Sequence, residues 1–340
     1  MNQDTVLQTG AKVLTAFFRL PEYQPIDWPD GKAFAFTIID DTDEATLQNI
    51  KPVYDYLYEL GLHTTKTVWS LPTNEPESPA NTGESLSDPD YRAFIVDLDS
   101  KGFEIAFHGA RGGSSTRSET MSALERFKEV VGRYPKIHIN HSMNKDNLYW
   151  GSHKLDFRPL RILYSLFQKR VFSGHIPNSE YFWGDVAQKQ ITYVRNFQFH
   201  EIDIMRVYPL VPYRDPKRSY VNYWFHSSDG ADPDSFNNLL SRDNLTRLEH
   251  NRGLCIMYTH FGAGFCRGNL INEKTKERLQ DVASRNGWFA TAGDILDYLR
   301  SNHRGGDNIS PGNRIYLELR WALEKMVRGL SNVCSQQSSR

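Results

Sequence analysis

Cysteine is scarce in this chain. Only Cys255, Cys266 and Cys334 occur among 340 residues, an odd number with no CxxC pair. That argues against a disulfide framework and points to a reducing compartment. No charge of one sign dominates either. Lys and Arg number 40 against 41 Asp and Glu, a net of −1, which argues against nucleic acid as a partner. No apolar run approaches a membrane span. The first twenty residues lack the basic start, apolar core and small-residue cleavage site of a signal peptide. Internal repeats at solenoid or propeller spacing are missing. The expectation is a cytoplasmic protein of one large domain or two small ones.

What is present begins with KAFAFTIIDDTD, residues 32–43. An apolar run rich in β-branched and aromatic residues stops abruptly at Asp40, Asp41 and Asp43. Such runs form buried strands, and in parallel sheets ligands gather at the carboxyl ends of the strands. Adjacent Asp40 and Asp41 point opposite ways on a strand, so they can serve two purposes. The plain alternative is an acidic turn or helix cap. A helix at 44–60 follows, with Gly61 as its stop, then a β-branched strand at 63–71. The alternation continues with helix 91–100, strand 103–107, helix 119–133, strand 136–139, strand 254–259, strand 288–291 and helix 293–300. Strand, polar residue and helix repeating in this way predict a distorted (β/α) barrel of about seven parallel strands, with the active site at the strands' carboxyl ends. Those ends carry Asp40, Asp41, His108, His141 and His260. One such histidine is more often ordinary structure than ligand; several at one rim point to a shared site.

With these residues in view, the chain resembles the polysaccharide deacetylases, the chitin and peptidoglycan deacetylase-like carbohydrate esterases. The resemblance rests on TIIDDTD, on GFEIAFHGARGG (102–113) and on LCIMYTHFG (254–262), and it spans about 32–299 in topology. It implies a metal-dependent hydrolase of amide bonds acting on an N-acylated sugar or sugar precursor in polysaccharide metabolism. By it, Asp40 is the catalytic base, Asp41 and His108 are metal ligands, and His260 is the general acid. The family places a second ligand histidine four residues after the first. Gly112 stands there instead, and His141 in HINHSMN is the candidate replacement, with His175 and His200 as alternates. The motif containing Trp and Asp is matched by Trp224, as a hydrophobic wall, and Asp229, as a polar brace. One divalent ion is implied, zinc first and other first-row metals second.

Residues 151–220 read as an aromatic-rich insertion with no counterpart in the family. Trp150, Trp183 and Arg195 are its candidate substrate contacts, the tryptophans for stacking on a sugar and Arg195 for orienting Asp40 or binding an anionic group; an extra small core is the structural alternative. The expected organisation is an N-terminal extension (1–31), the barrel with its insertion (32–300), and a linker with a C-terminal helix and tail (301–340). That helix, carrying Ile315, Leu317, Trp321, Met326 and Leu330, is expected to pack on the barrel or on a second copy in a homo-oligomer, with weak membrane-surface contact as the minor reading. Two other functions stay open: hydrolysis of a cyclic amide or ureide on the same barrel, and a non-catalytic barrel that binds glycans or a protein partner.

Overall fold

A computed structural model describes residues 3–168, 170–302 and 306–338. Seven parallel strands close into a barrel: β1 (Phe34–Asp40), β2 (Thr65–Val68), β3 (Glu104–Phe107), β4 (Ile137–His138), β5 (Tyr193–Phe199), β6 (Tyr223–Asp229) and β7 (Leu254–Thr259). Each pairs with the next, and β7 returns to β1 along Ala35–Asp40. The barrel is distorted at β1. A hairpin, β8 (Cys266–Arg267) with β9 (Leu270–Ile271), follows β7, and then β10 (Gly287–Phe289) pairs with the lower half of β1 at Phe34–Phe36. Only Ile39 and Asp40, at the top of β1, pair with β2.

Around the barrel lie α1 (Gln3–Phe17), α2 (Leu47–Glu59), α3 (Pro89–Ser100), α4 (Arg117–Val131), α5 (Arg158–Phe167), α6 (Gly184–Gln190), α7 (Pro233–Leu239), α8 (Arg242–His250), α9 (Glu273–Ala283), α10 (Ala292–Asn302) and α11 (Pro311–Ser338). Local chemistry sets several of their ends. Thr46 with Asn49 and Thr116 with Glu119 form capping boxes that start α2 and α4, satisfying amides that a helix start leaves open. Gly132 closes α4 with φ +81°, a conformation glycine adopts without the Cβ penalty.

Strand alternation divides β1 between two apolar clusters. Phe34, Phe36 and Ile38 pack with Ile50, Val53 and Leu57 of α2, between barrel and helices. Ala35 and Ile39 join Ile137, Tyr193, Phe225 and Ile256 inside the barrel. Burying each large side chain contributes about 1.5–3 kcal/mol, so slipping β1 by one residue would exchange the two faces at high cost.

Residues 151–220 differ from the insertion expected of them: the barrel strand β5 runs through the segment. Arg195 and Asn196 interrupt its apolar pattern, yet both are buried. The pattern was broken by polar residues that the barrel itself partners. The C-terminal helix α11 buries Tyr316 and Leu317 completely, and Trp321 lies 5.6 Å from Phe197 of β5. Through Tyr316, Leu317 and Trp321 the helix packs within the molecule, while Met326 stays exposed. The side chains of Leu330 and Cys334 lie outside the described residues; Cys255 and Cys266 are free thiols. Among the described residues, no helix is long and apolar enough to cross a membrane.

Candidate active site

The three aspartates after β1 have three different environments. Asp40 ends the row that faces the helices. Its carboxylate accepts hydrogen bonds from Lys66 Nζ (2.7 Å), Tyr54 Oη (3.0 Å) and the Phe261 amide (2.8 Å). It is fully buried and does not line the cavity described below. Burial opposes the charge on Lys66, but Asp40 holds the lysine above its ordinary range. Burial and Asp40 together push the Tyr54 phenol well up. This is a closed ion cluster, and it places Asp40 away from the role of base at the rim.

Asp41 faces the other way. Arg195 grips it with a two-pronged bond, Nη1 to Oδ1 at 3.0 Å and Nη2 to Oδ2 at 2.5 Å, the strong planar pairing that guanidinium and carboxylate make. The guanidinium lies 4.3 Å from the Tyr258 ring centroid. Arg195 therefore orients Asp41, where Asp40 had been expected.

Asp43 meets the histidines. Its Oδ2 lies 3.0 Å from His108 Nε2 and 3.8 Å from His260 Nε2, and its Oδ1 lies 2.9 Å from His141 Nε2. The ligand atoms of Asp43, His108 and His141 all fall within 4.8 Å of one another, as do those of Asp41, Asp43 and His260. Burial resists the charge on Asp43, but His108 and His141 hold it well below the usual carboxylate range. Burial likewise opposes protonation of His141, and Asp43 raises it. The structure thus brings His108 and His141 together with Asp43, while Asp41 belongs to the neighbouring group.

The donor set fits a divalent ion. Asp43 Oδ2 is buried without a hydrogen bond of acceptable geometry, and His108 Nδ1 lacks a partner too. His141 Nδ1 lies 3.2 Å from Asn144 Oδ1, which itself accepts from the Gly113 amide. An outer bond of that kind fixes the ring and turns Nε2 toward Asp43, where the Ala80 carbonyl also lies 3.1 Å from it. Two imidazoles and a carboxylate, with room left for water, are suitable ligands for zinc and related ions. The absence of a histidine at position 112 has a steric cause. A Cβ built on Gly112 would sit 2.9 Å from the Asn81 Cα and 2.9 Å from the Trp69 ring. The second imidazole comes instead from beyond β4.

His260 stands beside this cluster at the end of β7. Its Nδ1 lies 3.0 Å from the Ala231 carbonyl, so it donates there, and Nε2 accepts from the Tyr258 hydroxyl at 3.1 Å. Glu44, next to Asp43, adopts φ +58°. Such a conformation is strained for a residue with a side chain and persists where the surroundings impose it. Here the Thr82 carbonyl accepts the Glu44 amide, and the Thr42 carbonyl accepts that of Ala45, fixing the turn that aims Asp43.

A cavity of about 510 Å³ joins these parts, within the size range of small-molecule sites. Asp41, Asp43, His108, Arg195 and His260 line it, together with Trp150 and Trp321. Asp229 also faces it, 3.3 Å from both Lys325 and Arg328 of α11. Trp183 and Trp224, expected to touch substrate, do not line it. Trp183 is buried beside His138, its indole nitrogen donating to the Asp146 carbonyl. Trp224 is buried against Tyr149. Both serve packing, because their strand or loop register turns them toward the helices. His175 is stacked on Tyr149 and His200 lies beside Arg328, so neither joins the metal-type cluster. Asp43 was missed as a site residue although strand parity offered the signal, since it shares the parity of Asp41. Lys154 and Tyr258, both on the cavity wall, carried no sequence signal.

No protein-family model matches the sequence, and no curated protein is significantly similar to it. Among solved structures, the chain is similar to a putative polysaccharide deacetylase from Mycobacterium smegmatis, at 14% identity over 86% of this chain and 99% of that one, with a TM-score of 0.52. It is also similar to a probable polysaccharide deacetylase from Pseudomonas aeruginosa PAO1, at 12% identity over 86% and 98% of the two chains, with a TM-score of 0.50. The barrel is a divergent version of the polysaccharide deacetylase fold.

Proposed function

We propose that this protein is a metal-dependent hydrolase of amide bonds that removes the acyl group from an N-acylated sugar or sugar precursor. The observation that carries the reading is the buried meeting of Asp43, His108 and His141 within 4.8 Å, with Asp41 and His260 beside it on one cavity. The polysaccharide deacetylases that share this barrel supply the substrate class. Asp43, His108 and His141 would hold one divalent ion, zinc first. When bound, such an ion acts as a Lewis acid toward an acyl carbonyl and toward water.

The chain's own groups then divide the proton work. Asp41, held at both oxygens by Arg195, keeps a lone pair on each for the proton of the attacking water. His260, in its doubly protonated form with Nδ1–H still bound to the Ala231 carbonyl, delivers the Nε2 proton to the departing amine as the C–N bond breaks and returns to the neutral ring. Acid and base need opposite protonation states, so the rate has a bell-shaped pH profile. Trp150 offers a flat apolar face for a sugar ring. The scarcity of cysteine supports a reducing compartment, the cytoplasm, as the place of the reaction.

The test is metal analysis and acetate release on single variants. Asp43→Ala is expected to lose the ion, and Asp41→Asn to keep it while losing turnover. Metal loss from Asp41→Asn with full retention in Asp43→Ala would overturn the assignment. Ammonia released in place of acetate would overturn the substrate class.

A further inference from the structure

Lys154 closes a short 3₁₀ turn, Gly151–Lys154, and reaches the same cavity as Asp43 and His260. It is 5% exposed. Its ammonium nitrogen lies 4.2 Å from the ring centroid of Trp150, 4.7 Å from that of Phe197 and 5.5 Å from that of Trp321. Among the described residues no carboxylate pairs with it and no oxygen accepts from it. Its cationic neighbours are provided for. Arg195 has Asp41, Arg218 has Asp156 and Asp215, and Arg314 has Glu318 at 3.2 Å. Lys325 lies 3.3 Å from the Asp229 carboxylate. Lys154 is thus the cation of this wall that no carboxylate among the described residues meets.

Aromatic faces attract a cation but do not replace hydration, so a buried ammonium left without an anion is costly. Burial first, then Lys325, Arg314, Arg195 and Arg218, push Lys154 well below the ordinary lysine range. A group kept at such cost inside a ligand-sized cavity calls for a partner that arrives from outside. We propose that Lys154, with Lys325 and the rings of Trp150 and Trp321, forms a subsite for an anionic substituent of the substrate, a carboxylate or a phosphate ester on the N-acylated sugar. The choice of sugar rests on the hydrolase reading above; the anion site rests on the wall itself.

Three probes separate the cases: N-acetylglucosamine, which is neutral, N-acetylmuramic acid, which carries a carboxylate, and N-acetylglucosamine 1-phosphate. Calorimetric titration of the full chain reads binding directly, without turnover. At least one anionic probe should bind about tenfold more tightly than the neutral sugar, as befits a charge-assisted contact, and which one identifies the anion. Lys154→Met keeps the aliphatic stem among the rings and should bring both anionic probes to within about twofold of the neutral one. Should that variant fail to fold, Lys325→Met, at a half-exposed position, should reduce the preference about threefold. Equal binding of all three probes by the natural protein overturns the subsite, as does a preference that survives the variants. An anion preference without any acyl hydrolysis removes the hydrolase reading alone. Acyl hydrolysis of neutral and anionic sugars with no preference removes the subsite alone.

Discussion

Two ion clusters sit back to back at the top of β1. Behind the strand, Asp40 meets Lys66, Tyr54 and the Phe261 amide; in front, Asp43 meets His108 and His141. Both are buried, and both contain a carboxylate beside basic groups. They differ in their partners. Asp40 meets an ammonium, a phenol and an amide away from the cavity, whereas the oxygens of Asp43 meet imidazole nitrogens on the cavity wall. Burial of charge therefore does not distinguish a site from a structural pair; convergence of metal-type donors beside an open cavity does. A related distinction separates Arg195, held by Asp41, from Lys154, which meets three rings and no anion among the described residues.

Substitution should break this symmetry most sharply in front. Asp43→Ala is expected to lower bound metal below about a tenth of an equivalent and turnover by a factor of about 10³ or more, with the fold intact. Metal content and circular dichroism check it. Behind the strand the effect should be on stability instead. Asp40→Ala leaves the Lys66 ammonium buried without its anion and should cost about 3–5 kcal/mol in urea unfolding. The pair Asp40→Asn with Lys66→Met should recover most of that loss, since no lone charge remains. If Asp40→Ala instead kept stability and lost metal, the metal-type site would lie behind the strand and the roles of the two clusters would be exchanged.

Asp41→Asn sharpens the comparison within the front cluster. It should retain metal and lose about 10²–10⁴ in turnover, the usual worth of a general base. The smallest effect concerns a polar group that belongs to neither cluster. His226 of β6 is fully buried, with Nε2 3.0 Å from the Ile204 carbonyl. Burial lowers its pKa to about 4, with the Ile204 carbonyl opposing and Arg320 assisting. Because the folded value is below the ordinary 6.5, the folded chain excludes a proton that the unfolded chain takes up. Nothing is lost above about pH 6.5; stability then falls as pH drops toward 4 and levels off below it, by about 3 kcal/mol in all. Urea midpoints at pH 7 and pH 5 should diverge less in His226→Gln than in the natural protein.

Much of this was legible along the chain because it depends on neighbours in sequence. The alternation of apolar runs and helical spacing led to the barrel, and strand-end positions singled out His108, His141 and His260. The role of Asp43 was not legible. Choosing between Asp40 and Asp41 by family resemblance set the ligand frame two residues too early, whereas the packing of Ile38 against the helices and Ile39 inside the barrel shows which parity faces the site. Trp150 and Trp183 illustrate the same limit. Trp150 reaches the cavity and Trp183 the core, and composition treats them alike.

The sequence by itself determined strands β1 to β4, β7 and β10 and helices α2 to α4 and α10, since hydrophobic period and capping act over a few residues. It also determined that carboxylates and imidazoles would collect at one end of a parallel sheet. Only the closed barrel decided which of them face one another. Arg195 finds Asp41 across 154 positions of chain, and Lys154 finds three rings in place of an anion. Such pairings depend on how strands from distant segments are brought side by side, and no local pattern records a neighbour that only folding supplies.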